Sequence, residues 1–259
     1  MPKFSIITVN YNDVSGLQKT VESVVTQTHT NFEYIVIDGA SQDGSAAYIE
    51  KNQHFFAHWI SEKDKGVYEA MNKGLRWAKG EYVLFLNSGD FFINESVLEK
   101  VARKVDDSKA IYYGNLVFRS AKKEFIRTYP KQLEFSYFLK RSLPHPGTFI
   151  RRTLFDALFY YSEDYKIISD WEFFIYAICK ANVSYQHLEE TISVFNLQGM
   201  SNNPKNKALI EAEKAKVYQR YFQKEYREAV THFAANNEKK TKKATGLKQL
   251  LRSVFQKKA

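Results

Sequence analysis

The sequence predicts an α/β domain in which a mostly parallel sheet is flanked by helices and followed by a C-terminal helical extension. Short apolar, β-branched runs alternate with segments of helical spacing over about the first 90 residues, a pattern typical of parallel sheets. Most of these runs end in a polar cluster, and from residue 205 to 235 the chain has the composition of one long helix. We therefore expect a domain over 1–203, divided into halves 1–110 and 111–203, with the extension over 204–259.

The first half contains four strand signals and two helix signals. Apolar runs predict strands over 4–9, 33–37 and 81–86, and a weaker one over 58–60. Apolar residues at helical spacing predict a helix from Leu17 to Val25, with Ser15 as its N-cap, and a second from Val67 to Ala78, stopped by Gly80.

The second half is less regular. Residues 111–118 and 125–129 are typical of a β-hairpin, and 144–147 (PHPG) of a stiff turn. Ser169 and Glu172 have the spacing of a capping box, which puts Asp170 in the first turn of an apolar helix. A short strand is predicted over 193–195.

Composition excludes several classes of protein. The 259 residues are 44% apolar and 26% charged, which is the balance of a folded globular chain. A single cysteine, Cys179, excludes an intrachain disulfide framework and favours a reducing compartment. No apolar run approaches the ~18–20 residues of a membrane span, and no signal peptide precedes the first strand. We expect a cytoplasmic protein, either free or peripheral on the inner face of the plasma membrane.

The positive charge is concentrated at the C-terminus. Residues 239–259 carry eight basic residues and no acidic one, and so supply nearly all of the net charge of +9. Leu247, Leu250, Leu251 and Val254 share one helical face there, which suits an anionic membrane surface. Packing of this helix on its own domain is the alternative. Because the rest of the chain is nearly neutral, we expect no nucleic-acid partner.

Three polar clusters follow the predicted strands, at residues 10–12 (NYN), 38–43 (Asp38 and Asp43) and 87–90 (NSGD). In open α/β sheets the ligand binds beyond the carboxyl ends of the strands. An aromatic ring, a carboxylate and amides suit a nucleotide base and ribose, and a carboxylate in the last cluster suits a divalent cation. No dinucleotide fingerprint and no P-loop is present, which argues against a dehydrogenase or a P-loop enzyme.

Four segments in this order and spacing resemble family 2 glycosyltransferases of the GT-A fold, especially those of bacterial polysaccharide assembly. They are residues 5–12 (SIITVNYN), 37–45 (IDGASQDGS), 70–82 (AMNKG followed by AKGEY) and 85–90 (FLNSGD). The resemblance implies inverting transfer of a sugar from a nucleotide-diphosphate donor, with UDP-sugars favoured, to a hydroxyl of a lipid-linked or growing glycan. An inactive nucleotide-sugar-binding scaffold of polysaccharide assembly is the alternative.

The resemblance also assigns residues. It implies that Asp170 is the general base, that Asp90 binds a divalent cation (Mg²⁺ or Mn²⁺), and that the remaining positions bind the nucleotide sugar: Thr8, Asn10, Tyr11, Asp38, Asn72, Lys73 and Asn87. The chain departs from the family pattern twice, with Asp38-Gly39 in place of paired aspartates and one carboxylate in the NSGD segment.

Structural roles compete with several of these assignments. Asp170 and Asp90 also suit helix or loop capping, and Asp43 suits an Asx-type turn. A structural or surface role is favoured for His145.

Overall fold

The structure, a computed structural model, describes residues 1–120, 123–197, 203–229 and 231. Nine strands in this part of the chain form one sheet, in the order β3-β2-β1-β4-β8-β6-β9-β5, with β7 paired to β6. The strands are β1 (Phe4–Asn10), β2 (Phe32–Asp38), β3 (His58–Ser61), β4 (Tyr82–Phe85), β5 (Phe91–Phe92), β6 (Ile111–Arg119), β7 (Glu124–Arg127), β8 (Thr148–Arg151) and β9 (Tyr185–Asn196).

Helices connect the strands. They are α1 (Val14–Val25), α2 (Ser45–Lys51), α3 (Val67–Trp77), α4 (Val97–Ala102), α5 (Phe135–Phe138), α6 (Thr153–Ala157), α7 (Ser169–Cys179) and α8 (Lys207–Tyr221). Short 3₁₀ turns lie at Gln53–Phe55, His145–Gly147 and Pro204–Asn206. The α/β class predicted from the sequence is confirmed.

Strands β3, β2, β1 and β4 are parallel, so their carboxyl ends lie at one edge of the sheet. Every residue of β1 and β4 is buried, as expected for strands covered on both faces. Asn10 pairs with Asp38, and Asp38 pairs with Ser61. This register brings together the polar residues that end three different segments of the sequence.

The other half of the sheet is mixed. β8 is antiparallel to both β4 and β6, whereas β9 is parallel to β6 and antiparallel to β5. The predicted hairpin is confirmed as β6 and β7, with Leu116 opposite Arg127. β9 is much longer than the strand predicted over 193–195, because its first half is partly exposed and lacks a continuous apolar run.

Two helix starts differ from the sequence prediction. The N-cap of α1 is Asp13, whose carboxylate accepts a hydrogen bond from the Gly16 amide at 3.0 Å, and Ser15 lies inside the helix. The predicted capping box at Ser169 is also wrong. Helix α7 follows Ile168 as N-cap, and the Ser169 hydroxyl accepts from the Ser162 amide at 2.6 Å.

The predicted helix over 205–235 is interrupted. Helix α8 ends at Tyr221, residue 222 is not helical, and residues 223–229 are helical again. The part of the prediction beyond residue 231 lies outside the described residues, as does the basic tail.

The chain divides into two compact units, Met1–Lys214 and Ala215–Ala259. Glu213 belongs to the first unit, where its carboxylate accepts from the amides of Lys166 at 2.8 Å and Ile167 at 3.2 Å. In the part of the chain that the structure describes, no helix has the length and apolar content that a membrane crossing requires.

Candidate active site

Asp38 organises the strand ends. The carboxylate is fully buried, and its Oδ1 accepts from Asn10 Nδ2 at 2.6 Å and from the Ser41 hydroxyl at 2.6 Å. Its Oδ2 accepts from the Ser61 hydroxyl at 2.6 Å and from the Ser41 amide at 3.0 Å. Four hydrogen bonds compensate the burial of this charge and hold the β1, β2 and β3 ends in register.

Tyr11 forms an exposed aromatic surface beside Asp38. The residue is 69% exposed, and its Cδ2 atom would lie 3.1 Å from a Cβ placed on Gly39. Asp64 Oδ2 approaches the same point to 2.7 Å, so a side chain at position 39 would separate the ring from the carboxylate. Sequence reasoning missed Asp64, although the Asp64-Lys65-Gly66 turn before α3 was a signal. Burial raises the pKa of Asp64.

A cleft of about 1010 Å³ opens next to the β4 end of this edge. Its lining includes the predicted residues Asn87 and Asp90, from the loop after β4, and Asp170, from the first turn of α7. It also includes His145, which precedes β8 in a 3₁₀ turn. The fold thus gathers three predicted residues, from two segments far apart in the sequence, around one imidazole.

Asp90 brings a buried carboxyl group to the wall of the cleft. Its side chain is nearly buried, and its Oδ1 accepts from the Asn196 amide at 2.9 Å. Burial raises the pKa of Asp90 to about 7, while His145 and the Asn196 hydrogen bond act in the opposite direction. Its other oxygen, Oδ2, lies 3.8 Å from His145 Nε2. A cation in the cleft would therefore stabilise the ionised form of Asp90.

His145 lies between two carboxylates. Its Nδ1 atom is 3.5 Å from Asp170 Oδ2, and its Nε2 atom faces Asp90 and lies 3.3 Å from Asn87 Nδ2. The side chain is 19% exposed. The structural or surface role favoured from the sequence stays a prediction, but no local pattern indicated that this turn would lie between Asp90 and Asp170.

Asp170 is oriented by two groups. The Tyr68 hydroxyl, from α3, donates to Asp170 Oδ1 at 2.9 Å, and His145 approaches Oδ2. Burial, followed by the charge of Asp170, raises the pKa of Tyr68, which keeps the phenol protonated as a donor. Tyr68 is a second residue that sequence reasoning missed. A carboxylate held from both sides and open to a cleft can accept a proton from a bound hydroxyl.

The other predicted site residues are not among the described residues that line this cleft. They are Thr8, Asn10, Tyr11, Asp38, Asn72 and Lys73. Thr8 is fully buried and donates to the Leu86 carbonyl at 2.7 Å. Asn72 is buried and donates to the Tyr161 carbonyl at 2.8 Å. Lys73 forms an ion pair with Glu62 at 2.8 Å. The nucleotide-binding roles of these three residues stay predictions.

Two oxygens suit a divalent cation. Asp90 Oδ2 faces the cleft, and Asn87 Oδ1 is buried without a hydrogen-bond partner among the described residues. Among the described residues, no group of three or more His, Cys, Asp or Glu side chains has an arrangement that could hold a metal ion by itself. These two oxygens would supply a minority of the ligands of Mg²⁺ or Mn²⁺. Substrate oxygens and water would complete the coordination shell. Such an ion would supply positive charge next to a departing anionic group.

Solved glycosyltransferases share this fold. The crystal structure of S. aureus TarS 1-349 in complex with UDP-GlcNAc superimposes with a TM-score of 0.63 and 21% identity, covering 76% of this chain and 59% of that chain. The mannosyltransferase PcManGT from Pyrobaculum calidifontis, in complex with GDP-Man and Mn²⁺, gives 0.59 and 16%, covering 78% and 59%. This chain thus spans less than two thirds of either protein. The fold is that of a GT-A glycosyltransferase.

The sequence places the chain within this class. The family described as Glycosyl transferase family 2 matches residues 5–169, and the chain belongs to that family. An uncharacterised glycosyltransferase of Mycobacterium tuberculosis (strain CDC 1551 / Oshkosh) is 34% identical over 181 residues, which is 68% of this chain and 69% of that protein. The resemblance seen in the four sequence segments is confirmed, and the chain is a glycosyltransferase.

Proposed function

We propose that this enzyme transfers a sugar, with inversion, from a nucleoside-diphosphate donor to a hydroxyl of a lipid-linked or growing glycan. The observation that carries the proposal is the common cleft of Asp90 and Asp170, with His145 between them. Asp90 suits the side of the leaving diphosphate, and Asp170 suits the side of the attacking hydroxyl.

The reaction is a single displacement. The acceptor oxygen attacks the anomeric carbon and its proton passes to an oxygen of Asp170, while the bond from that carbon to the diphosphate oxygen breaks and its electrons remain on the diphosphate. A positioned carboxylate contributes about 10²–10⁴-fold as general base. Asp90 and Asn87 would hold a divalent cation that neutralises the leaving diphosphate.

The donor base belongs, in this proposal, at the β1 and β2 ends. Asn10 and Asp38 supply polar atoms there, Tyr11 supplies an exposed ring, and Asn10 Oδ1 has no hydrogen-bond partner among the described residues. Thr8, Asn72 and Lys73 would complete the part of the site that binds the base, ribose and phosphates. TarS was solved with UDP-GlcNAc, which favours UDP-sugars as the first donors to test.

The decisive comparison is Asp170→Asn. The variant should fold and bind UDP as the wild type does, and lose at least about 100-fold in turnover, because the amide cannot accept the proton. Asp156→Asn, an exposed carboxyl on α6, is the matched control and should keep full turnover. Turnover of Asp170→Asn near the wild-type rate would remove Asp170 from the mechanism.

An inactive nucleotide-sugar-binding scaffold is the second candidate. It is favoured by one specific observation, the single carboxylate that the NSGD segment offers to a cation. Transfer or donor hydrolysis by the wild-type protein, abolished in Asp170→Asn, would exclude it. Donor binding with neither reaction would establish it.

A further inference from the structure

Most of the charged side chains that line the cleft are positive. Its described lining contains seven lysines and arginines against three aspartates, and no glutamate. The aspartates come from the loops after β1 and β4 and from the start of α7, whereas all but one of the cations follow residue 118. Most of the positive charge in the cleft therefore comes from the second half of the chain.

Arg127 and Arg141 form one pair of cations. The Arg127 guanidinium lies 4.1 Å from the centroid of Phe118, which fixes its position on β7. Burial raises the pKa of Tyr129, and both arginines act in the opposite direction, which places both charges near this phenol. Neither arginine forms a salt bridge with a carboxylate of the described residues.

Lys166 and Lys214 are two further cations of the cleft lining, and Glu213 links the segments that carry them. Lys214 Nζ lies 5.0 Å from the ring centroid of Trp171, the residue that follows Asp170. Burial lowers the pKa of Lys214, with Glu211 acting in the opposite direction. Glu213 anchors the backbone of Lys166, and no described carboxylate forms a salt bridge with either lysine.

These four cations line one concave site and form no salt bridge with a carboxylate of the described residues, so they contribute a positive potential there. Such a site is stabilised by an anion, and arginine forks together with lysine ammonium groups suit phosphate oxygens. The donor diphosphate has its own place in the proposed function, beside Asp90 and its cation. These four cations are thus left for the other substrate.

We infer that the acceptor carries a phosphate or diphosphate group close to the hydroxyl that is glycosylated, bound by Arg127, Arg141, Lys166 and Lys214. This inference rests on the proposed function, since it assigns the acceptor class of the same cleft. This phosphate or diphosphate group can come from either of two sources: the diphosphate of a lipid carrier, or a phosphate ester within the glycan.

Calorimetric titration with the donor site filled by UDP and Mg²⁺ tests the inference and separates the sources. Geranyl diphosphate against geraniol probes the lipid source, and glucose 1-phosphate against methyl glucoside probes the sugar source. We expect at least one phosphorylated probe to bind about tenfold or more tightly than its neutral partner, as charge-assisted contacts imply. The pair with the larger ratio identifies the source.

Matched variants assign that preference to these residues. Arg127→Gln combined with Lys214→Gln should lose about tenfold in affinity for the phosphorylated probe and keep UDP affinity within about twofold. Arg127→Lys combined with Lys214→Arg retains both charges and should retain the preference. Lys51→Gln combined with Lys180→Gln, both exposed and outside the described lining, is the control.

Two results would overturn the inference. Equal affinity of the wild type for phosphorylated and neutral probes contradicts an anionic acceptor, and a parallel loss of UDP affinity in Arg127→Gln/Lys214→Gln assigns the cations to the donor. The proposed function is measured separately by titrating UDP into the wild type. Absence of UDP binding contradicts that function, whereas UDP binding without phosphate preference contradicts only the acceptor class.

Discussion

Asp90 and Asp170 face opposite nitrogens of the same imidazole, with Asp90 Oδ2 3.8 Å from His145 Nε2 and Asp170 Oδ2 3.5 Å from His145 Nδ1. The carboxyl group proposed to hold a cation and the one proposed to take a proton therefore share a neighbour. A change in the ring position alters both sides of the reaction centre together.

His145→Ala should lower kcat by about 10–100-fold, because a displacement of about 1 Å in a catalytic group has effects of this size. His145→Gln keeps two polar atoms and should lose less. Steady-state kinetics with a UDP-sugar would measure kcat and the donor KM separately. His54→Ala, an exposed histidine of the first 3₁₀ turn, is the control. Unchanged kcat in His145→Ala would show that the ring only fills space.

Mg²⁺ or Mn²⁺ should stabilise the wild type in the presence of UDP. At a cation concentration 100 times the Kd, the gain is about 2.7 kcal/mol, or roughly 5–10 °C in Tm for a domain of this size. Thermal unfolding with and without a chelator would measure the shift. Asp90→Asn should lose it, and Asp156→Asn should keep it. A full shift in Asp90→Asn would place the cation elsewhere.

Asp106 should contribute to acid resistance. Hydrogen bonds from the Tyr112 hydroxyl, at 2.5 Å, and from Ser108 lower its pKa to about 2. Because an unfolded aspartate titrates near pH 3.9, this contribution is complete above about pH 4 and is lost as the pH falls towards 2. Tyr112→Phe should raise the Asp106 pKa and shift acid unfolding to higher pH.

Carboxyl NMR titration of Asp106 measures this effect directly. Tyr113→Phe is a matched control, since the Tyr113 hydroxyl donates to the Pro130 carbonyl and not to Asp106. An Asp106 pKa that does not change in Tyr112→Phe would show that the phenol does not stabilise the carboxylate in solution.

Removal of residues 239–259 should abolish binding to vesicles that contain anionic lipid, since each basic residue near such a surface contributes about 1 kcal/mol. Activity on an acceptor free in solution should change by less than about twofold, since no described residue of the cleft lining follows Lys214. Vesicle sedimentation at low and high salt would measure the binding, with neutral-lipid vesicles as the control. Undiminished binding, combined with a lower Tm, would favour packing of the tail on its own domain.

The parallel half of the fold was predictable because its signals are local. Strands β1, β2 and β4 are mainly apolar runs, and parallel pairing carries the polar residues at their carboxyl ends to one edge. Asn10, Asp38 and Asn87 could therefore be singled out before any coordinates.

The centre of the cleft was less predictable because it depends on contacts between distant segments. The positions of His145 and Tyr68 relative to Asp170 are set by how the turn before β8 and helix α3 meet α7, which no sequence spacing indicates. The N-cap of α1 was misplaced for a smaller reason, since Asp13 and Ser15 are both good capping residues and only the backbone path selects between them.

Glu213 sets a lower limit on the length of an active fragment. A chain that stops at residue 203 would leave the amides of Lys166 and Ile167 without their acceptor and would delete Lys214 from beside Trp171. The start of α8 is thus part of the wall that holds the proposed base, and deletion series aimed at the basic tail should stop well before this helix.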